Sequence, residues 1–369
     1  MKKDGTDFLL GRRAFAALAS TLLLLGTTKP AASAVGEEVS RGMGKGNTAG
    51  TFSRRSTIGE IVRDPAFKGF GEYVLPLETL GHPFRKLDEA SLDMPLTRLP
   101  RLLPYHTNVN VEAACGILNR LKARSLAGDR VWIPLSHEGA GLFFYPTSQR
   151  PGDSPKPFVL IAAGGGFVYV GSIHEGFPYA EAMNKNGMNA FVLQYRVTRG
   201  GSSAMEDMAE GLDFILSNAK TLNVDPKGYG LMGSSAGARM AAWLGSIGLE
   251  PFGYKDRGKA GAVLMAYTGH SDWQPDDPPT FMVQGTADPI APVRAVDNRM
   301  RAMREAGIPV DYMRVDGVAH GFGLGTGMKK TGYRLIVPSG MLHDYSCLTV
   351  QAFQVVCQLL EFTAGVTNR

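Results

Sequence analysis

The amino-acid sequence predicts an α/β fold, a mostly parallel sheet flanked by helices and preceded by an N-terminal extension, from three observations. Beyond Gly128, short apolar runs alternate with longer amphipathic stretches, the order that a parallel sheet with crossover helices requires. The run Gly233-Ser234-Ser235-Ala236-Gly237 stands between a strand-like and a helix-like stretch. A glycine run, Gly164-Gly165-Gly166, directly follows another apolar strand. No internal repeat or low-complexity tract breaks this order, so one domain is expected over residues 126–369.

Taken from the beginning, Lys2, Lys3, Arg12 and Arg13 precede the apolar stretch from Ala14 to Gly26, and Ala32-Ser33-Ala34 supplies a small-x-small cleavage pattern. Residues 1–34 therefore read as an export signal. The Arg12-Arg13 pair fits either a twin-arginine or a general secretory signal. Cleavage is expected ahead of an uncleaved anchor, which leaves a protein exported to the periplasm or beyond with no stable membrane insertion. Residues 35–57 are rich in Gly, Ser, Thr and charge without an apolar period, and read as a flexible lead-in. From Ile58 onward apolar residues become denser, and 58–125 are expected to form a layer packed on the main domain.

Strands are predicted near 130–133, 141–145, 158–162, 190–195, 228–232, 260–267, 280–284 and 310–315 from their short apolar runs. Met205, Met208, Ala209, Leu212, Ile215 and Leu216 share one helical face, 293–306 forms another helix, and a small-residue helix opens at Ala238. A terminal helix is expected beyond Met328.

Composition limits the function. The chain has 369 residues, 44% of them hydrophobic and 20% charged, with a formal charge of +5. Loss of residues 1–34 removes five basic and two acidic residues and brings the charge down by three, to +2. No basic stripe interleaved with aromatics remains, so a nucleic-acid partner is not expected. Cys115, Cys347 and Cys357 allow one bridge at most, with free thiols the expected state, and none has metal-site spacing.

The chemistry centres on Ser235. Between a strand and a helix, G-x-S-x-G forms a turn so tight that the flanking positions must be small, and the serine hydroxyl is lifted above the sheet edge. A serine needs a base to become nucleophilic. His320, in Val318-Ala319-His320-Gly321-Phe322 past the strand at 310–315, is the candidate; His343 with Asp344 is the competitor. The carboxylate that orients the base is expected to be Asp288, in Gln284-Gly285-Thr286-Ala287-Asp288-Pro289, with Asp272, Asp276 and Asp277 as fallbacks. Acyl transfer also requires donors for an oxyanion. Gly165, Gly166 and the amide of Ala236 are assigned that role. His270 and His174 are candidate substrate contacts, and Tyr195-Arg196 ends a strand at the same edge; His174 and Glu175 alternatively cap a helix, and Arg196 alternatively serves as an ion-pair partner.

With Ser235, Asp288 and His320 in this order behind a glycine-rich loop, the sequence resembles, over about 130–325, the α/β-hydrolase esterases that carry an H-G-G-G motif, including acetyl-xylan-esterase-like members. The resemblance implies hydrolysis of carboxylic esters, short acyl groups such as acetyl on a small-molecule or carbohydrate alcohol, with no metal and no organic cofactor. Ala163 stands where the motif has its histidine. Two other functions fit the same residues: a peptidase or amidase on this fold, and an inert binding protein that retains it.

Overall fold

The computed structural model describes residues 50–80, 89–103, 105, 109–150, 152–197, 201–322 and 335–336, which lie within one compact unit, Asn47–Arg369. The export signal, most of the lead-in, His343, Cys347, Cys357 and the expected terminal helix lie outside the described residues. Among the described residues, no helix is long and apolar enough to cross a membrane.

Among the described residues, nine strands form one sheet: β1 (Trp132–Pro134), β2 (Gly141–Tyr145), β3 (Phe158–Ala162), β4 (Asn189–Gln194), β5 (Gly230–Ser234), β6 (Ala262–Ala266), β7 (Thr280–Gly285), β8 (Val310–Val315) and β9 (Leu335–Ile336). Their order is β1-β2-β4-β3-β5-β6-β7-β8-β9. The block from β4 to β8 is parallel, and β1, β2 and β9 pair antiparallel at its edges. Strands β2 to β7 are buried at every position, which is why they read as unbroken apolar runs and not as alternating ones.

Successive residues nevertheless serve opposite layers. Phe143, Val159, Ile161 and Leu264 face one core, and Leu142, Leu160, Leu231 and Val263 the other. The second core is covered by α6 (Gly201–Ser217), α8 (Ala236–Ile247) and α9 (Val293–Glu305). The first takes α4 (Ser172–Glu175), α5 (Phe177–Lys185) and the N-terminal residues. There α1 (Ile58–Val62), α2 (Glu89–Leu92) and α3 (Val111–Leu126) are joined by short 3₁₀ turns, and Phe70 meets Phe143 of the sheet edge to face at 5.8 Å. A short helix, α7 (Ala219–Leu222), leads into β5.

The lead-in is shorter than expected. Residues 50–57 are tied down: the Phe52 amide donates to Asn119 Oδ1 (2.7 Å), Asn119 Nδ2 returns a bond to the Phe52 carbonyl (2.9 Å), and the Phe52 ring is buried. Thr57 and Glu60 form a reciprocal capping box at the start of α1, a T-x-x-E signature readable in the sequence. One aromatic in a polar stretch was enough to anchor it, a contact that composition does not reveal.

The predicted strands at 141–145, 158–162 and 310–315 coincide with β2, β3 and β8, and the remaining boundaries move by one or two residues. The move at β5 matters most. Gly228 turns at φ +65°, so the strand starts at Gly230 and runs through Ser234, and α8 begins at Ala236 instead of 238. A single residue, Ser235, makes the whole reversal.

Candidate active site

The sheet order changes direction at β3: the chain leaves β3 for β4 on one side and then returns to β5 on the other. Such a switch point opens a crevice at the carboxyl ends of the strands. Ser235 follows β5 and Gly164–Gly166 follow β3, so both lie at that crevice.

Ser235 has φ 51° and ψ −115°, a conformation L-residues rarely adopt, and its amide is anchored on the Ala266 carbonyl at 2.9 Å. Strain of this kind costs about 1–3 kcal/mol and persists only where its surroundings enforce it. Those surroundings are glycine. A methyl group on Gly237 would overlap the Ala162 carbonyl of β3, and one on Gly233 would overlap the backbone of Gly237. Two further non-glycine residues with positive φ, Phe167 (60°) and Tyr267 (38°), flank the same crevice.

The structure brings Ser235, His320 and Asp288 together. Ser235 Oγ lies 2.9 Å from His320 Nε2, and His320 Nδ1 lies 2.8 Å from Asp288 Oδ2. The His320 side chain is 7% exposed and that of Asp288 fully buried. Because an ionised carboxylate only accepts, Nδ1 carries the proton and Nε2 is left to accept from the serine hydroxyl. The loops that bring them together are laced: Thr286 N–H donates to the Val315 carbonyl, Ala287 N–H to that of Val318, and Thr286 Oγ1 bridges Asp316 and the Gly317 amide.

Asp288 is held from several sides. Its Oδ1 accepts from the amides of Ile290 and Ala291, both at 2.8 Å, and its Oδ2 from Gln284 Nε2 at 3.0 Å as well as from His320. Burial pushes the carboxyl pKa up, but the bond from His320 and the amides of Ala291 and Ile290 outweigh it and hold it below the usual carboxylate value. Of the three fallbacks, Asp277 meets the Arg299 guanidinium at 3.5 Å and Asp276 the Lys259 ammonium at 3.3 Å, while the exposed Asp272 gives Arg299 its backbone carbonyl at 2.9 Å.

Gly165 (φ 138°) and Gly166 (φ 63°) form the loop beside Ser235, and Ala236 is the first residue of α8. Any side chain on Gly164 would meet the Ser235 Cβ and the Ser234 carbonyl, which shows how closely the loop lies against the elbow. Without the motif histidine, the loop is held by other groups: Tyr195 OH donates to the Ala163 carbonyl at 2.9 Å, and Glu175 Oε2 accepts from the Gly164 amide at 2.6 Å.

Two of the expected substrate contacts fare differently. His174 lies within α4 and is fully buried, so it is corrected from a substrate contact to an interior residue; the chain turns inward at Gly171 and sends Ile173, His174 and Glu175 under the loop. His270 is 7% exposed beyond β6, and burial, with the neighbouring Arg299 charge, lowers its pKa to about 4. Arg196 is an ion-pair partner, its guanidinium spanning both oxygens of Asp207 at 2.6–3.0 Å. Among the described residues, His137, Asp207 and Glu210 have spacing that suits a cation, but Arg196 already occupies Asp207, and Ser136 occupies both oxygens of Glu210.

Sequence reasoning missed Gln284, Glu175, Tyr195 and Tyr267 as site supports. The available signal was a polar residue inside an apolar run, Gln284 ending Phe281-Met282-Val283 and Glu175 between Ile173 and Phe177.

A doubly wound sheet in this order, with a serine on the turn between β5 and α8, defines the α/β-hydrolase fold. A family model described as BD-FAE matches residues 144–252, from the end of β2 through the elbow helix. In sequence the chain is similar to an acetylxylan esterase of Xylanibacter ruminicola, 26% identical over 201 residues that cover 45% of this chain and 41% of that protein. It is also 29% identical over 200 residues to endo-1,4-beta-xylanase B of Butyrivibrio fibrisolvens, covering 42% of this chain and 31% of that protein. The chain thus spans less than half the length of either curated relative. MGS-M1, an alpha/beta hydrolase enzyme from a Medee basin deep-sea metagenome library, superposes with a TM-score of 0.46 at 23% identity over 62% of this chain and 97% of its own.

Proposed function

We propose that the protein is an exported serine esterase that cleaves short-acyl, acetyl-type esters of a small-molecule or carbohydrate alcohol. The observation that carries this reading is the continuous hydrogen-bonded line from Ser235 Oγ through the His320 imidazole to Asp288, 2.9 and 2.8 Å per link. Ser235 Oγ attacks the ester carbonyl as its proton passes to His320 Nε2. Asp288 stabilises the imidazolium that results. The negative charge on the carbonyl oxygen is met by the amides of Gly165, Gly166 and Ala236, the last of these at a helix N-terminus whose first amides have no partner within the helix. Collapse of the tetrahedral intermediate expels the alcohol, which takes the proton from His320, and water releases the acid by the reverse sequence. No step requires a metal or organic cofactor.

The acetyl and carbohydrate assignment is supported by the acetylxylan esterase among the relatives, and export by the charged and apolar pattern of residues 1–34. The test is turnover of 4-nitrophenyl esters of graded acyl length by the wild type and by Ser235→Ala. Loss of all measurable turnover in the variant, with acetate preferred by the wild type, is expected; a variant that hydrolyses at the wild-type rate overturns the mechanism. N-terminal sequencing of the mature protein, expected to begin at Val35, tests export.

A further inference from the structure

We infer that Glu175 is a positioning residue of the Ser235 site, its two oxygens tying the glycine loop to Tyr267 and, through the Tyr267 ring, to His320. This rests on the esterase reading above.

Glu175 is fully buried, as is Tyr267. One carboxylate oxygen, Oε2, accepts from the Gly164 amide at 2.6 Å, and the other, Oε1, accepts from the Tyr267 hydroxyl at 2.7 Å. On the loop side, two consecutive peptide units are fixed. The unit between Ala163 and Gly164 is held at its carbonyl by Tyr195 and at its amide by Glu175. The next unit is held at the Gly164 carbonyl by the Gly171 amide, 2.9 Å away. Because a trans peptide is planar, with its N–H opposed to its C=O, pinning that carbonyl sets the direction of the Gly165 N–H. The amide assigned to the oxyanion is thus aimed by bonds made in its own peptide unit and in the one before it, and Glu175 supplies one of the latter.

On the base side, Tyr267 sits at the end of β6 with φ 38°, a strained position that outside contacts must enforce. Its ring meets the His320 imidazole edge to face at 5.2 Å and Phe322 at 5.2 Å, and its hydroxyl is anchored on Glu175. The Glu175 charge also acts on the hydroxyls of Tyr169, Tyr179, Tyr195 and Tyr267, the last of which is bonded to it. Burial first, and the charge of Glu175 second, push their pKa values up, which keeps each one a donor. One buried carboxylate therefore serves both halves of the machinery, the oxyanion donors and the base, and replaces the support that a histidine at position 163 would give.

Interactions that strengthen only in the transition state act on kcat, whereas a residue needed only for folding acts on the amount of active protein. The experiment compares wild type, Ser235→Ala, Glu175→Gln, Glu175→Ala and Tyr267→Phe on 4-nitrophenyl acetate, with kcat expressed per serine titrated by a fluorophosphonate and the melting temperature recorded. Glu175→Gln keeps an oxygen for Gly164 but turns an amide N–H toward Tyr267. We expect kcat per titrated site to fall about 10- to 100-fold in Glu175→Gln, about 5- to 10-fold in Tyr267→Phe, and further in Glu175→Ala, with KM within about twofold throughout. Wild-type kcat per titrated site in Glu175→Gln and Tyr267→Phe overturns the inference while leaving the esterase reading intact. A folded wild type that neither turns over ester nor reacts with the fluorophosphonate overturns both.

Discussion

The side-chain amide of Gln284 donates to Oδ2 of Asp288 at 3.0 Å, the same carboxylate oxygen that faces His320 Nδ1. Gln284 also donates to the Ala291 carbonyl at 2.7 Å, closing the loop that carries Asp288. Gln284→Met keeps the volume and removes both bonds. We expect it to lower kcat about tenfold and to destabilise the fold by about 1–3 kcal/mol, the cost of leaving buried acceptors unmet, read from steady-state kinetics and urea unfolding.

Asp288→Asn replaces an acceptor by a group that also donates, which favours the imidazole tautomer with its proton on Nε2 and leaves Ser235 without a base. A loss of about 10³- to 10⁴-fold in kcat is expected, with KM little changed. A loss of less than tenfold would assign the orienting role elsewhere.

Gly237→Ala directs a methyl group into the Ala162 carbonyl, where no side chain can move aside. Gly187→Ala, at φ +80° with open space around it, is the control. We expect about 3–5 kcal/mol of destabilisation or failure to fold for the first and about 1–2 kcal/mol for the second, measured as shifts in the urea midpoint.

His270 supplies a pH dependence whose sign is fixed. Its folded pKa is lowered to about 4, against about 6.5 in an unfolded chain. Between those values the unfolded state binds the proton and the folded state does not, so this group makes stability rise with pH and fall as pH drops from 6.5 to 4. Wild type is expected to lose up to about 2–3 kcal/mol more than His270→Asn between pH 7 and pH 4, measured as the difference of their unfolding free energies; parallel pH profiles would contradict it.

Lys122 and Asp64 form a nearly buried pair at 2.7 Å, and Lys122 also donates to the Gly50 carbonyl and lies 4.7 Å from the Phe52 ring. Lys122→Ala leaves a buried carboxylate without its cation, at a cost of about 3–5 kcal/mol. Limited proteolysis is expected to cut first within residues 50–57 in that variant and not in the wild type.

Eight of the nine described strands, and the order along the chain of the candidate residues Ser235, Asp288 and His320, were legible in the sequence. Runs such as Phe158-Val159-Leu160-Ile161-Ala162 are apolar at every position because both faces of the sheet are covered, and Gly233 to Gly237 permits only a turn too tight for larger residues. Patterns of this kind are local, so they survive in the linear text. Tertiary structure alone decided which polar residues face the site. His174 and Glu175 are neighbours in sequence and both are buried, and the Glu175 carboxylate is bonded to the glycine loop and Tyr267. Gln284 became a partner of Asp288 because the β7 loop folds back over its own strand end. Hydrogen bonds between residues 92 positions apart, as Glu175 and Tyr267 are, leave no periodicity to read. They exist only once packing has excluded water and left each buried polar atom in need of a partner.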